Sequence, residues 1–228
     1  MRLILLTEQA FFESLGRPLR AASPKLEIVL ARTLAELEAA ATSTPLRILS
    51  VGAEVIVPAR ILAQLATPAY NIHPGPPNYP GIFPSVFALY DGAPTFAVTL
   101  HEMAEAVDSG PIVNVDEFTI EPSWNRLALD TKTFAVLLGM VSRLAPQLAD
   151  VTTPLPHSAR VWSGTKRTRK DFDALCRLSE DATPEEFARR YRAIGEGPDH
   201  TLSITRFGRT FRLQSETRGT VVRGGQPA

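Results

Sequence analysis

The chain has 228 residues, enough for one substantial hydrophobic core and a smaller appendage. Its 24 basic and 24 acidic residues cancel and 44% of residues are hydrophobic, which argues against global disorder and against bulk-charge binding to nucleic acid or an anionic membrane. The single cysteine, Cys176, cannot form an internal disulfide, and no apolar run approaches the ~18 residues of a membrane span; both fit a soluble, cytoplasmic protein.

The start, MRLILLTEQ, reads as a buried first strand rather than a signal peptide. RLILL (2–6) is a near-continuous apolar run, as in a strand covered on both faces. A helix is expected from Glu8 to Ala22, its second half weakened by Gly16 and Pro18. Phe11, Phe12 and Leu15 are its core candidates. LEIVLA (26–31) is a strand, and TLAELEAAATS (33–43) a helix with Thr33 as N-cap and Leu34 and Leu37 on one face. LRILSVG (46–52) is the third strand. PARILAQLA (58–66) begins a helix with Pro58 in the first position, and AYNIH (69–73) is the fourth strand. After a proline-rich loop, PSVFALYDG (84–92) is helical and stops at Gly92, while FAVTLHEM (96–103) and PIVNVDEFTI (111–120) alternate as strands do. A long helix over 125–149 carries Leu127, Leu129, Phe134, Leu137, Leu138, Val141 and Leu144 as core candidates.

A proline-bearing linker, VTTPLPHSA (151–159), leads to a basic stretch, an amphipathic helix over Pro184–Ile194, and a hairpin of 201–207 and 209–213 around Gly208. The tail GGQPA (224–228) reads as frayed. The expected architecture is α/β: a Rossmann-like, mostly parallel sheet with helices on both faces over 1–150, then a small C-terminal α+β appendage over 158–228. The first strand–helix junction, TEQAFFES, lacks the glycine-rich turn of a dinucleotide site, which removes the support for a dinucleotide-dependent oxidoreductase.

The chemistry is concentrated in NIHPGPPNYPG (71–81). Residues i and i+2 of a strand share a face, so Asn71 and His73 converge where the carboxyl end of a parallel strand opens into a ligand crevice. An amide donor beside an imidazole can stabilise a negative oxygen developing on a carbonyl. In EAVDSGPIV (105–113), Asp108 stands in a turn between two strands. It is either a turn former bonded to local backbone or a carboxylate that faces His73 and relays protons.

The order Asn71-x-His73-Pro74, the continuation Pro77-x-Tyr79-x-Gly81 and the turn Asp108-x-Gly110 together resemble the 10-formyltetrahydrofolate-dependent formyltransferase family over residues 46–120. The resemblance implies transfer of a formyl group from 10-formyltetrahydrofolate to an amine, with Asn71, His73 and Asp108 as the catalytic trio. It places the pterin between VGAEVIV (51–57) and MAEAVD (103–108), at Gly52, Ala53, Glu54, Ile56, Met103, Ala104 and Val107. The loop residues Gly75, Pro76, Pro77, Asn78 and Tyr79 would wall the acceptor. Gly75 stands where the family often has serine. Pro-Pro loops of this kind occur in branches that formylate amino sugars, which favours a small-molecule amine such as an amino sugar or sugar nucleotide. Formyltetrahydrofolate hydrolysis, methionyl-tRNA or glycinamide ribonucleotide formylation, and a non-enzymatic folate-binding module are the alternatives.

The remaining candidates read more plainly. Arg160, Lys166, Arg167, Arg169 and Lys170 form a basic cluster, mainly solvated surface, with acceptor phosphates as the functional alternative. Trp162 is expected to pack the appendage onto the main domain, with stacking on a base or sugar as the alternative, and His101 to be structural, with a pocket-lining role as the alternative. His157 and His200 fall in exposed loops, no histidine or cysteine sits at metal-ligand spacing, and Ser109 lacks a nucleophile-elbow context. The appendage is open to two uses, a homodimer contact or an acceptor platform.

Overall fold

The computed structural model of the protein describes residues 1–42, 45–195 and 201–213. Strands β1 (Arg2–Leu6), β2 (Glu27–Ala31), β3 (Leu46–Val51) and β4 (Tyr70–His73) pair in parallel, and β5 (Thr95–Glu102) and β6 (Ile112–Thr119) extend the sheet antiparallel, in the order β2-β1-β3-β4-β5-β6. This is the expected α/β sheet, and its two faces follow from strand alternation. Leu3 and Leu5 of β1 pack with Tyr70, Ile72, Val98 and Leu100 on one side, beneath helices α1 (Gln9–Ala22) and α5 (Arg126–Ala149). Ile4 and Leu6 pack with Ile48, Leu37 and Ile61 on the other, beneath α2 (Leu34–Ala40) and α3 (Ala59–Leu62).

Several local expectations change. Helix α1 runs unbroken through Gly16 and Pro18, because Leu15 and Leu19 are both fully buried and docking outweighs the helix-breaking tendency. Helix α3 has only four residues, and Pro58 is its N-cap rather than its first helical residue. Thr33 caps α2 as expected, accepting from the Glu36 amide at 3.2 Å, but Leu34 is exposed beside the buried Leu37. Leu127 is 74% exposed, because two residues before Leu129 it stands about 200° around α5 from the face that enters the core.

The chain beyond the linker adds α6 (Arg169–Leu175), β7 (Arg177–Leu178), α7 (Pro184–Ile194), β8 (Ser203–Arg206) and β9 (Arg209–Arg212). The hairpin β8–β9 turns at Phe207 and Gly208, both with positive φ, and β7 joins it as a third strand. Helix α6 was not expected inside the basic stretch. Its signal is a capping box, Thr168 and Asp171 bonding reciprocally at the N-terminus. Phe172, Leu175, Ala193, Ile194 and Leu202 share one core with Val86, Phe87 and Leu89 of α4 (Pro84–Asp91). Ser43, at the end of the expected second helix, His200 and the 224–228 tail lie outside the described residues.

One buried cation ties these layers to β4. The Arg47 guanidinium, fully buried, donates to the carbonyls of Gln147, Leu148 and Thr153, and so satisfies the C-terminal end of α5. It also lies 5.0 Å from the ring centre of Tyr70, whose hydroxyl accepts from the Leu155 amide at 2.8 Å. Arg47→Ala removes the three guanidinium bonds and the contact with the Tyr70 ring, and is expected to cost about 2–4 kcal/mol of stability. Urea unfolding checks this, and an unchanged midpoint would contradict the assignment.

Candidate active site

Because Tyr70 and Ile72 enter the core under α1 and α5, Asn71 and His73 must project from the opposite face. Cross-strand register sets Asn71 opposite His101 and His73 opposite Thr99. A register shift between Leu100 and His101 locally re-aims β5. The helical cover on this face is thin, since α3 is one turn long and residues 52–57 lack helix or strand. The result is a cavity of about 610 Å³ beyond the carboxyl ends of β3 and β4.

The side chains form a defined network. The His73 Nε2–H donates to the Tyr79 carbonyl at 3.0 Å, a bond that fixes the tautomer because a carbonyl only accepts. His73 Nδ1 then faces Asp108 Oδ2 at 3.4 Å, so a proton taken up by His73 arrives beside a carboxylate. Asp108 Oδ2 also accepts the Gly81 amide at 2.8 Å, and Oδ1 is 3.5 Å from His101 Nε2. The His101 Nδ1–H donates to the Glu102 carbonyl at 2.8 Å, leaving Nε2 to accept from the Asn71 amide at 3.0 Å. This fixes the orientation of Asn71, with its second N–H uncommitted to His101. Asn71, His73 and Asp108 all line the cavity, as the sequence predicted for the trio.

Burial dominates the electrostatics. His73 and Asp108 are 3% and 7% exposed. Burial holds the imidazole of His73 below its ordinary value of 6.5, with Asp108 and the Tyr79 carbonyl pulling the other way and His101 adding to the depression. Burial works to raise the Asp108 carboxyl, but His101, His73 and the Gly81 amide outweigh it and hold it below its ordinary value. At neutral pH the arrangement is therefore a neutral imidazole with a lone pair on Nδ1, next to an ionised carboxylate.

All seven residues expected to flank a pterin line the cavity: Gly52, Ala53, Glu54, Ile56, Met103, Ala104 and Val107. Among the described residues, the backbone of 53–56 makes no backbone–backbone hydrogen bond, so its N–H and C=O groups are available to a ligand. Apolar walls with free main-chain donors and acceptors suit a flat heterocycle rich in nitrogen. The expected acceptor loop behaves differently. Gly75, Pro76 and Pro77 are buried and lie outside the cavity lining; Asn78 is exposed and Tyr79 half-buried. A Cβ on Gly75 would sit 2.6 Å from His73 Nε2, and the Gly75 carbonyl accepts from Thr99 Oγ1 at 2.7 Å. The loop is thus the shelf that holds His73. The Tyr79 phenol, pushed up by burial and Asp91 to about 12, stays protonated.

Sequence reasoning undervalued two residues. His101 lines the cavity and orients Asn71, which became visible only once the register between β4 and β5 was known. Trp162 packs edge-on against both His73 and His101, beyond simply joining the appendage to the sheet. Of the basic cluster, Lys166 and Arg167 line the cavity, whereas Arg160 and Arg169 pair with Glu117 and Asp173 at the surface. His157 is half exposed, as expected, and holds the Glu102 carboxylate at 2.9 Å. Ser109 bonds only the Ala106 carbonyl among the described contacts.

The site makes a prediction independent of any substrate. The His73 ring resonances are expected to titrate below 6.5, and lower still in Asp108→Asn, because that change removes the largest influence raising the imidazole. In the window between the folded and unfolded His73 values, the unfolded chain binds more protons, so stability rises with pH up to about 6.5. NMR titration reads both, and a His73 value above 6.5 would contradict the picture of a desolvated imidazole.

Parts of this sequence and its fold are similar to known proteins. Residues 28–134 match the family model described as formyl transferase. The dTDP-4-amino-4,6-dideoxyglucose formyltransferase of Mycobacterium tuberculosis is 33% identical over 129 residues, covering 54% of this chain and 53% of that protein. The chain thus matches about half the length of that curated relative. Among solved structures, a sugar N-formyltransferase from Shewanella sp. superposes with a TM-score of 0.76 at 18% identity, covering 94% of this chain and 97% of the other. An N-formyltransferase of Helicobacter canadensis, solved with folinic acid and dTDP-3-aminofucose, superposes with a TM-score of 0.67 at 15% identity, covering 84% and 79%. The segment that carries Asn71, His73 and Asp108 thus falls within the stretch that matches the formyl transferase family model.

Proposed function

We propose that the protein is an N-formyltransferase that uses 10-formyltetrahydrofolate and an amino-sugar acceptor, most simply a nucleotide-linked one. The observation that carries this reading is the convergence of Asn71, His73 and Asp108 on a cavity whose walls include all seven residues expected for a pterin. The names of the M. tuberculosis and H. canadensis relatives support the acceptor class. When bound, 10-formyltetrahydrofolate supplies an activated formyl carbon to an attacking amine.

The chain's own residues do the rest. Asn71, its amide fixed by His101, offers its second N–H to the carbonyl oxygen as negative charge builds there. His73, neutral at rest, accepts the proton of the attacking amine on Nδ1. Asp108 stabilises the imidazolium so formed from 3.4 Å, and the pair holds the proton for the departing nitrogen. The apolar walls, including Ile56, Met103 and Val107, exclude water from that exchange. Gly75, Pro76 and Pro77 support His73 from beneath, while Asn78 and Tyr79 remain the proposed acceptor contacts of the loop. The one cysteine, Cys176, is free, and no described helix is long and apolar enough to cross a membrane; a cytoplasmic enzyme fits both.

The test is incubation with 10-formyltetrahydrofolate and a panel of dTDP-amino sugars, with mass detection of an added formyl group. Formate release without a formylated amine would replace transfer by hydrolysis, and no turnover of the folate would overturn the reading. Asn71→Ala is expected to lower kcat about 10²–10³-fold through loss of one donor. His73→Ala is expected to lower it by at least about 10²-fold through loss of the base. Because the neutral imidazole is the active form, kcat/KM falls as pH drops through the depressed His73 value, placing its acid limb below 6.5. An acid limb above that would contradict His73 as the base.

A further inference from the structure

Residues beyond the linker reach the trio and the segments that flank it. The Trp162 ring centre lies 5.6 Å from that of His73 at 71° and 4.9 Å from that of His101 at 88°, both edge-to-face. Its indole N–H donates to the Gly110 carbonyl at 2.8 Å, in the same turn that carries Asp108. The chain around it is tied down. The Ser163 amide donates to Pro77, Arg167 bonds Pro80 and Ile82 through its backbone, and Lys166 Nζ donates to the Val107 carbonyl. Two close approaches leave no room for larger side chains: a Cβ on Gly164 would lie 2.3 Å from the Asn78 carbonyl oxygen, and one on Gly81 2.2 Å from that of Arg167.

Trp162 is absent from the cavity walls that His73 and His101 form. It therefore closes the imidazole pair from a side that a ligand in this cavity does not occupy. One indole meets both rings, and its N–H reaches, at 2.8 Å, the turn of the third member of the network. A residue that merely packed the appendage onto the sheet would not need to reach all three.

We propose that Trp162 is a positioning residue for formyl transfer, holding His73, His101 and the Asp108 turn in register while shielding the two imidazoles from water. This rests on the formyltransferase reading above. The ionisable groups facing His73 are Asp108 from the β5–β6 turn and His101 from β5, so loss of the indole exposes a coupled cluster rather than an isolated ring. It predicts a defect in the chemical step without a matching defect in cofactor binding, since Trp162 does not wall the cavity.

The experiment pairs steady-state kinetics with NMR titration of His73 in Trp162→Ala and Trp162→Phe. Trp162→Ala is expected to lower kcat at least tenfold with the folate KM within twofold, and to move the His73 titration up toward 6.5 as burial is relieved. Trp162→Phe keeps a ring against the imidazoles but loses the bond to Gly110, so both readouts should fall between wild type and alanine. An unmoved His73 titration overturns the proposal, whether kcat holds or declines only with thermal stability. If Trp162→Ala fails to fold, Trp162→Phe decides alone by the same criterion. The titration needs no turnover, so it still judges Trp162 if wild-type protein transfers no formyl group, a result that would instead sink the functional reading.

Discussion

The site depends on the burial of one carboxylate. Asp108 adopts a left-handed backbone conformation, φ 53°, and is only 7% exposed. Taking an ionised carboxylate out of water costs several kcal/mol unless its oxygens find partners. Here the Gly81 amide donates to Oδ2 at 2.8 Å, and the imidazoles of His73 and His101 stand 3.4 and 3.5 Å from the two oxygens, where any proton they take up is held beside the carboxylate. The turn conformation that brings Asp108 inward also brings Gly110 against the Glu102 carbonyl, where a Cβ would stand at 2.1 Å. Asp108-Ser109-Gly110 is thus a unit in which the acid and the glycine require each other.

The same constraint explains why the C-terminal segment belongs to the site. Gly81, which donates to Asp108, has φ 96° and pairs with Arg167 in an isolated bridge. Its conformation and lack of a side chain let one residue serve the carboxylate on one side and the incoming strand on the other. Trp162 and Lys166 then bond the carbonyls of Gly110 and Val107, on either side of Asp108. The buried Arg47 plays a parallel part at the far end of β4, joining the end of α5 and the linker to Tyr70. Both ends of the short strand that carries Asn71 and His73 are thereby fixed, as a preorganised site requires.

What the sequence disclosed depended on range. The strands announced themselves by apolar runs, and Asn71 and His73 by their two-residue spacing, both of which are local signals. The α6 capping box was local too, yet the surrounding basic residues masked it. The part played by His101 was not local: its meaning comes from the pairing of Asn71 with His101 across β4 and β5, and register is invisible in one strand alone. The family resemblance, not any local signal, made Gly75, Pro76 and Pro77 part of an acceptor wall. In the fold those residues are buried, since the carbonyls of Gly75 and Tyr79 have partners in Thr99 and His73. Helix α1 likewise survived Pro18 because the decisive contacts, made by Leu15 and Leu19, are tertiary.

The central claim is that one cavity brings a formyl group to Asn71, His73 and Asp108 while residues 52–57 and 103–107 hold its carrier. The most direct measurement is a crystal structure of the protein with 5-formyltetrahydrofolate, a stable analogue. The account predicts the pterin between these two segments, bonded to the main chain of 53–56, with the formyl end toward Asn71 and His73. A pterin bound elsewhere, or with its formyl end turned away from His73, would contradict it.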